Sequence, residues 1–185
     1  MRTVVAALCA VAALALAGCQ SLPKVQDPSG VDVSVAGLTD QQVMIHYGQG
    51  GPFEPDPYLA PAMLLSGHAS FVVLRIEIAS IRRAFVTLSD AMAKDAGGTV
   101  VARLSRQRDF LGLLRQQSTD DQVLNQLTTK TQRTYLPDGG VQVGPGTRSY
   151  AVVLVGNALQ PPLTVEAAVT VDTGEPRTFT FQWKN

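Results

Sequence analysis

The clearest alternation of apolar and polar positions lies near the end of the chain. From Leu163 to Val171 every second residue is large or small apolar, and the residues between them are mostly polar. After a turn at 173–176, Phe179, Phe181 and Trp183 alternate with polar residues. A period of two is typical of strands that bury one face and expose the other. The pattern therefore predicts a terminal β-hairpin.

Similar patterns predict strands through most of the chain. The stretch 69–80 is long, rich in β-branched residues and apolar on both faces except at Arg75 and Glu77, as expected of a central strand. Arg75 and Glu77 share one face and are expected to lie at a rim or to pair with neighbours. The other predicted strands cover 31–35, 43–47, 84–91, 99–104, 130–136, 141–143 and 148–155.

The period changes to that of a helix between 106 and 128. Phe110, Leu111 and Leu114 recur at helical spacing, followed by Val123, Leu124 and Leu127. About nine strands at short spacing indicate a mainly β fold, which we interpret as an immunoglobulin-like, Greek-key β-sandwich. One or two short helices inserted around 106–128 are expected to cover part of its core.

The first residues of the chain have a different pattern. Met1-Arg2 is basic, Val4 to Leu16 is an apolar run too short to span a bilayer, and small residues then precede Cys19. A buried helix does not fit, because the run is apolar on all faces. An ordinary signal peptide with a chance cysteine is the remaining alternative.

The stretch Leu16-Ala17-Gly18-Cys19 resembles the lipobox of bacterial lipoproteins. This resemblance implies cleavage before Cys19 and attachment of diacylglycerol to its sulfur, usually with acylation of the new amine. Two or three acyl chains anchor a protein stably without a transmembrane helix. Gln20 follows the cysteine where an Asp would favour inner-membrane retention, so the resemblance implies sorting to the outer membrane, on its periplasmic side.

The predicted domain organisation has three parts. Residues 1–18 form the signal peptide, 19–30 the lipidated N-terminus with a flexible tether containing two prolines, and 31–185 a single sandwich domain. Removing the signal leaves 14 Lys and Arg against 15 Asp and Glu, because Arg2 is its only charged residue. Such a balance provides no basic field for nucleic acid.

Cysteine usage limits the chemistry of the mature chain. Cys9 lies inside the signal and Cys19 is the predicted lipidation site, and the sequence has two cysteines in all. The mature domain is thus expected to have no disulfide, no thiol-ligated zinc and no cysteine nucleophile. We expect no cofactor and no metal.

The stretch Gly48–Pro61 interrupts the strand pattern with three glycines and four prolines. No helix or central strand tolerates that spacing of prolines, and long irregular loops are often functional. Its two aromatic residues, Phe53 and Tyr58, are candidate anchors for a partner. The alternative is a crossover loop whose aromatic side chains plug the edge of the core.

No catalytic constellation is evident from the sequence. His46 and His68 lack metal-ligand spacing, and the segment around Ser66 lacks the G-x-S-x-G elbow of hydrolases. We therefore expect a non-enzymatic interaction or assembly module, held by lipid on Cys19 and docked onto another envelope protein. A carrier of a small ligand or polysaccharide is the main alternative, for which a cavity lined by Phe110, Leu114 and Leu127 would argue. An envelope hydrolase is the third hypothesis.

Overall fold

The computed structural model describes residues 26–39, 42, 70–117, 121–157 and 159–184. Within these ranges the protein is mainly β, with two helices, α1 (Gln107–Gln117) and α2 (Asp121–Thr134). The strands are β1 (Val31–Leu38), β2 (Ser70–Ser80), β3 (Ala84–Lys94), β4 (Val100–Ser105), β5 (Val141–Val143), β6 (Gly146–Gly156), β7 (Leu163–Val171) and β8 (Arg177–Trp183).

All of these strands belong to one antiparallel sheet that nearly closes into a barrel. The strand order is β1-β2-β6-β4-β3-β7-β8, and β5 pairs with the first residues of β3, beside the short β4. The predicted immunoglobulin-like sandwich is not confirmed. Alternating apolar positions specify one buried face per strand, and that face is the same whether a sheet packs on a second sheet or curls onto itself.

The strand predictions that fall on described residues were accurate where one face is buried; the strand predicted over 43–47 lies outside these residues. The terminal hairpin is confirmed, with Leu163 in register with Trp183 and Val165 with Phe181. The central strand 69–80 is observed as β2, whose inward residues Val72, Leu74 and Ile76 are fully buried. On its outer face Arg75 and Glu77 form an ion pair, with Nη2 2.5 Å from Oε2.

The helical insertion is confirmed, but the predicted strand over 130–136 is wrong. Helix α2 continues through Thr134, and the Tyr135 N–H bonds to the Thr131 carbonyl at 2.9 Å, one helical turn earlier. Thr131 and Tyr135 therefore lie on one face of the helix, and both are buried. Burial of that face outweighed the strand preference of the β-branched residues in this stretch.

The two ends of the sheet, β1 and β8, run in the same direction and meet at a seam. Near the C-terminal end of β1, the Trp183 Nε1–H donates to the Leu38 carbonyl at 2.8 Å. Gly37 makes room for the indole, since a Cβ there would lie 2.6 Å from Trp183 Cδ1. At the other end of the seam Arg177 pairs with Asp27. Side chains thus hold the barrel together where β1 and β8 meet.

Candidate functional site

The residues singled out from the sequence lie outside the described part of the chain. These are the predicted lipidation site Cys19, the candidate anchors Phe53 and Tyr58, and the two histidines His46 and His68. They stay predictions. The described residues nevertheless show where the chain from Cys19 joins the barrel, and this region is the candidate site.

The chain joins the barrel at the end where β1 begins, which we call the basal end. It consists of residues 27–30 and the turns 81–83, 144–145 and 172–176. At 27–30 an Asp-Pro-Ser-Gly turn forms, in which the Asp27 Oδ1 accepts the Ser29 N–H at 2.8 Å. Gly30 has a φ of 74°, which favours glycine. The Gly30 carbonyl then accepts the Ile81 N–H at 3.1 Å, extending the β1–β2 ladder.

Two arginines fasten this turn to the barrel. Arg177, the first residue of β8, binds the Asp27 carboxylate, and this bond with those of Ser29 holds the pKa of Asp27 well below its usual range. Arg82 donates from Nε to the Ser29 carbonyl at 2.5 Å and from Nη2 to Asp172 Oδ2 at 2.7 Å. The last residues of the predicted tether are therefore bound to the start of β8 and to the connection between β2 and β3.

Asp172 is the centre of the basal end. It has a φ of 54°, and its N–H bonds to the Phe85 carbonyl at 2.7 Å while its Oδ1 accepts the Phe85 N–H at 2.8 Å. The Phe85 N–H, and then the Arg82 guanidinium, lower the pKa of Asp172. One carboxylate thus connects the turn after β7 to the start of β3 and, through Arg82, to Ser29.

These lowered pKa values predict acid sensitivity at the basal end. A carboxyl whose pKa is lower in the folded than in the unfolded protein stabilises the fold at pH values above its pKa in the unfolded protein. This stabilisation is lost as the pH falls through its pKa in the folded protein. We expect the free energy of unfolding to decrease as pH falls below about 4, and Asp172→Asn to reduce this decrease. Urea titrations at several pH values measure it, with the exposed Glu175→Gln on the same turn as the control. An unchanged pH dependence in Asp172→Asn would contradict the prediction.

A second constellation lies where the helices meet the sheet. The Tyr135 hydroxyl is buried, donates to the Ser105 carbonyl and accepts the Val153 N–H at 3.0 Å, and its ring stacks on Phe110 with centroids 5.4 Å apart. Burial raises the pKa of this phenol. Tyr135 therefore bridges β4 and β6 as a neutral hydroxyl, where the two strands diverge.

The pocket beside Tyr135 is small. Its volume of about 20 Å³ has room for one water molecule, and its lining includes Arg106, Pro137 and Asp138. The Asp138 carboxylate is engaged in capping α1, accepting the N–H groups of Gln107 at 2.6 Å and Arg108 at 3.3 Å. Phe110, one of the residues whose lining of a cavity would argue for the small-ligand carrier, packs on Tyr135; the side chains of Leu114 and Leu127 lie outside the described residues.

Removing the Tyr135 hydroxyl is expected to destabilise the fold without unfolding it. Tyr135→Phe keeps the stacked ring but leaves the Ser105 carbonyl and the Val153 N–H without this partner, which should cost about 1–3 kcal/mol. Chemical denaturation measures the difference. Tyr150→Phe, a half-buried tyrosine on β6, is the matched control and should change less. Equal effects in both variants would contradict the bridging role.

The part of the chain that the structure describes contains no group of three or more His, Cys, Asp or Glu side chains placed to hold a metal ion. Neither of the helices described combines the length and the apolar composition needed to cross a membrane. Comparison with protein-family models, with curated proteins and with solved structures finds no match to this chain.

Sequence reasoning missed the basal end because it treated 19–30 as a flexible tether throughout. The signal was present in Asp27-Pro28-Ser29-Gly30, a sequence typical of a tight turn in which Asp caps its own backbone and glycine takes a positive φ. The partners of that turn were not predictable. Arg82, Asp172 and Arg177 are far from it in sequence and are brought to it by strand pairing.

Proposed function

We propose that this chain is a bacterial lipoprotein, held by acyl groups on Cys19 at the periplasmic face of the outer membrane. The observation that carries the proposal is the lipobox-like Leu16-Ala17-Gly18-Cys19 after a basic residue and an apolar run. The attachment of residues 27–30 at the basal end is consistent with it, because it fixes the place where the chain that leads back to Cys19 leaves the barrel.

We further propose that the domain acts as a non-enzymatic interaction or assembly module for another envelope protein. The inward positions of the described strands carry aliphatic and aromatic side chains, and four ionisable residues at the basal end, Asp27, Arg82, Asp172 and Arg177, are engaged in structural bonds. These features support a stable scaffold that displays loops. The candidate contact residues are Phe53 and Tyr58 in the stretch Gly48–Pro61, whose prolines would reduce the entropy cost of ordering on binding.

Site-specific photo-crosslinking in cells tests the docking function. A photoreactive amino acid is placed at Phe53 or at Tyr58, with a control at Thr170, a partly exposed position on β7. We expect a discrete adduct from the loop positions alone, and mass spectrometry then identifies the partner. Absence of an adduct at 53 and 58, with the chain in the membrane fraction, would contradict docking through this loop and favour the small-ligand carrier.

A further inference from the structure

We propose that the basal end lies against the membrane surface, with Ile81 and Phe85 in contact with the lipid interface and Arg83 and Arg148 facing anionic headgroups. This inference rests on the proposed lipidation of Cys19. It adds an orientation and a second, non-covalent membrane contact to an anchor that would by itself leave the domain free to tumble.

The first argument is the placement of the exposed apolar side chains. Among the described residues the large hydrophobic side chains with high exposure are Ile81, 49% exposed, and Phe85, 44% exposed. Ile81 lies in the turn between β2 and β3 at the basal end, and Phe85 is the second residue of β3. Pro28, Pro145 and Pro176, also exposed, lie on the neighbouring segments of the same end. Exposed apolar side chains grouped near one end of a domain suit an interfacial contact.

The second argument is the length of the linker. Asp27 is fixed to Arg177, so the lipidated residue 19 is eight residues from the fold, at most ~28 Å when fully extended. The barrel is longer than this linker, since β2 has 11 residues and spans ~35 Å. Even in full extension the linker would therefore be too short for the opposite end to face the bilayer. The basal end is the one that the linker allows to approach the surface without strain.

The third argument is the presence of two unpaired arginines among the described residues of this end. Four arginines, Arg82, Arg83, Arg148 and Arg177, lie at or near it together with four carboxylates, Asp27, Asp32, Asp172 and Glu175. Arg82 and Arg177 are committed to Asp172 and Asp27. Arg83 and Arg148 are exposed and have no ion pair with another described residue. Lone arginines beside exposed apolar side chains suit an interface with anionic phospholipid.

Nitroxide scanning of the full, lipidated chain tests the orientation. Cysteine is introduced singly at Ile81, Phe85 or Ala96; the last is an exposed residue in the turn after β3, at the opposite end. Acylation of Cys19 leaves no competing thiol. The labelled protein is inserted in vesicles of phosphatidylethanolamine and phosphatidylglycerol, and collisions with oxygen and with a nickel chelate are compared. We expect the nickel collision rate to fall at 81 and 85 on membrane insertion, and not at 96.

The outcomes separate this inference from the proposed function. If mass spectrometry finds acyl groups on Cys19 and the protein floats with vesicles, but all three sites collide equally with nickel, the orientation is wrong and the anchor stands. If the protein carries no acyl group and does not float, both proposals fail.

A second pair of variants tests the headgroup contact. With the natural arginines, the nickel collision rate at position 81 should differ between vesicles that contain phosphatidylglycerol and vesicles of pure phosphatidylcholine. The double variant Arg83→Gln, Arg148→Gln should abolish that difference. The control, Arg103→Gln, changes an exposed arginine of β4 away from the basal end and should preserve that difference. A difference that survives in the double variant would exclude the arginines as headgroup contacts.

Discussion

Replacing Trp183 with alanine is expected to lower the free energy of unfolding by about 3–5 kcal/mol, the range for removing a large buried aromatic side chain. Trp183 is 5% exposed and its Nε1–H is bonded to the Leu38 carbonyl at 2.8 Å. Its loss would empty the space beside Gly37 and leave that carbonyl unpaired at the point where β1 meets β8. Urea denaturation followed by far-UV circular dichroism measures the change, since Trp183 is the sole tryptophan.

Two further variants separate the ring from its hydrogen bond. Trp183→Phe keeps an aromatic ring but removes the N–H, and should cost less than alanine while still losing about 1 kcal/mol for the bond. A loss below about 1 kcal/mol in Trp183→Ala would mean that the indole is not part of the core, and would contradict closure of the seam by this residue.

The contact between Trp183 and Gly37 provides a sharper test. A Cβ at Gly37 would lie 2.6 Å from Trp183 Cδ1 and 3.0 Å from Phe181 Cε2. Gly37→Ala should therefore cost about 1–3 kcal/mol in the natural chain and clearly less in the Trp183→Ala background. Gly112→Ala, in α1 with open space around it, is the control and should be neutral or stabilising. Strict additivity of the two substitutions would show that the residues do not touch.

Replacing Cys19 with serine is expected to abolish membrane anchoring. Serine has no thiolate to accept diacylglycerol, and in proteins with this type of signal cleavage follows lipidation, so an unlipidated precursor with residues 1–18 should accumulate. Cys9 offers no substitute, because it lies within the proposed signal. Intact mass spectrometry and membrane fractionation measure the two consequences, processing and localisation.

Cys9→Ser is the matched control for this experiment. It removes the other cysteine of the chain from a position that a lipoprotein discards, so processing and membrane retention should be unchanged. A correctly processed Cys19→Ser chain that stays in the membrane, or an equal defect in Cys9→Ser, would refute the lipid anchor at Cys19.

The basal end links the chain that leads back to Cys19 to the stability of the barrel. Residues 27–30 are held by Arg82 and Arg177, so weakening these bonds should release this segment from the barrel as well as destabilise the fold. Acidification acts on the same place, because Asp27 and Asp172 are the carboxyls whose pKa values are lowered there. The proposed orientation at the membrane requires residues 27–30 to stay bound to Arg82 and Arg177.

The sequence by itself determined which residues are buried along each strand. In β7 and β8 the apolar alternation from Leu163 to Trp183 predicted both strands and the face that each of them buries, because a shift by one residue would expose the whole apolar face. It also predicted a helical insertion between β4 and β5, from the spacing of Phe110, Leu111 and Leu114. The interpretation of the first residues as a lipoprotein signal likewise depends on local pattern alone.

Only the tertiary structure decided how these strands close. Gly37 has no side chain and therefore contributes nothing to the alternation of apolar and polar residues. The absence of a Cβ at Gly37 nevertheless lets Trp183, on the strand at the other end of the sheet, reach the Leu38 carbonyl. The extension of α2 to Thr134 and the ion pair between Arg82 and Asp172 likewise depend on residues that are distant in sequence. Periodicity reports the environment of a single strand, whereas closure of a sheet depends on contacts between segments that pattern alone does not bring together.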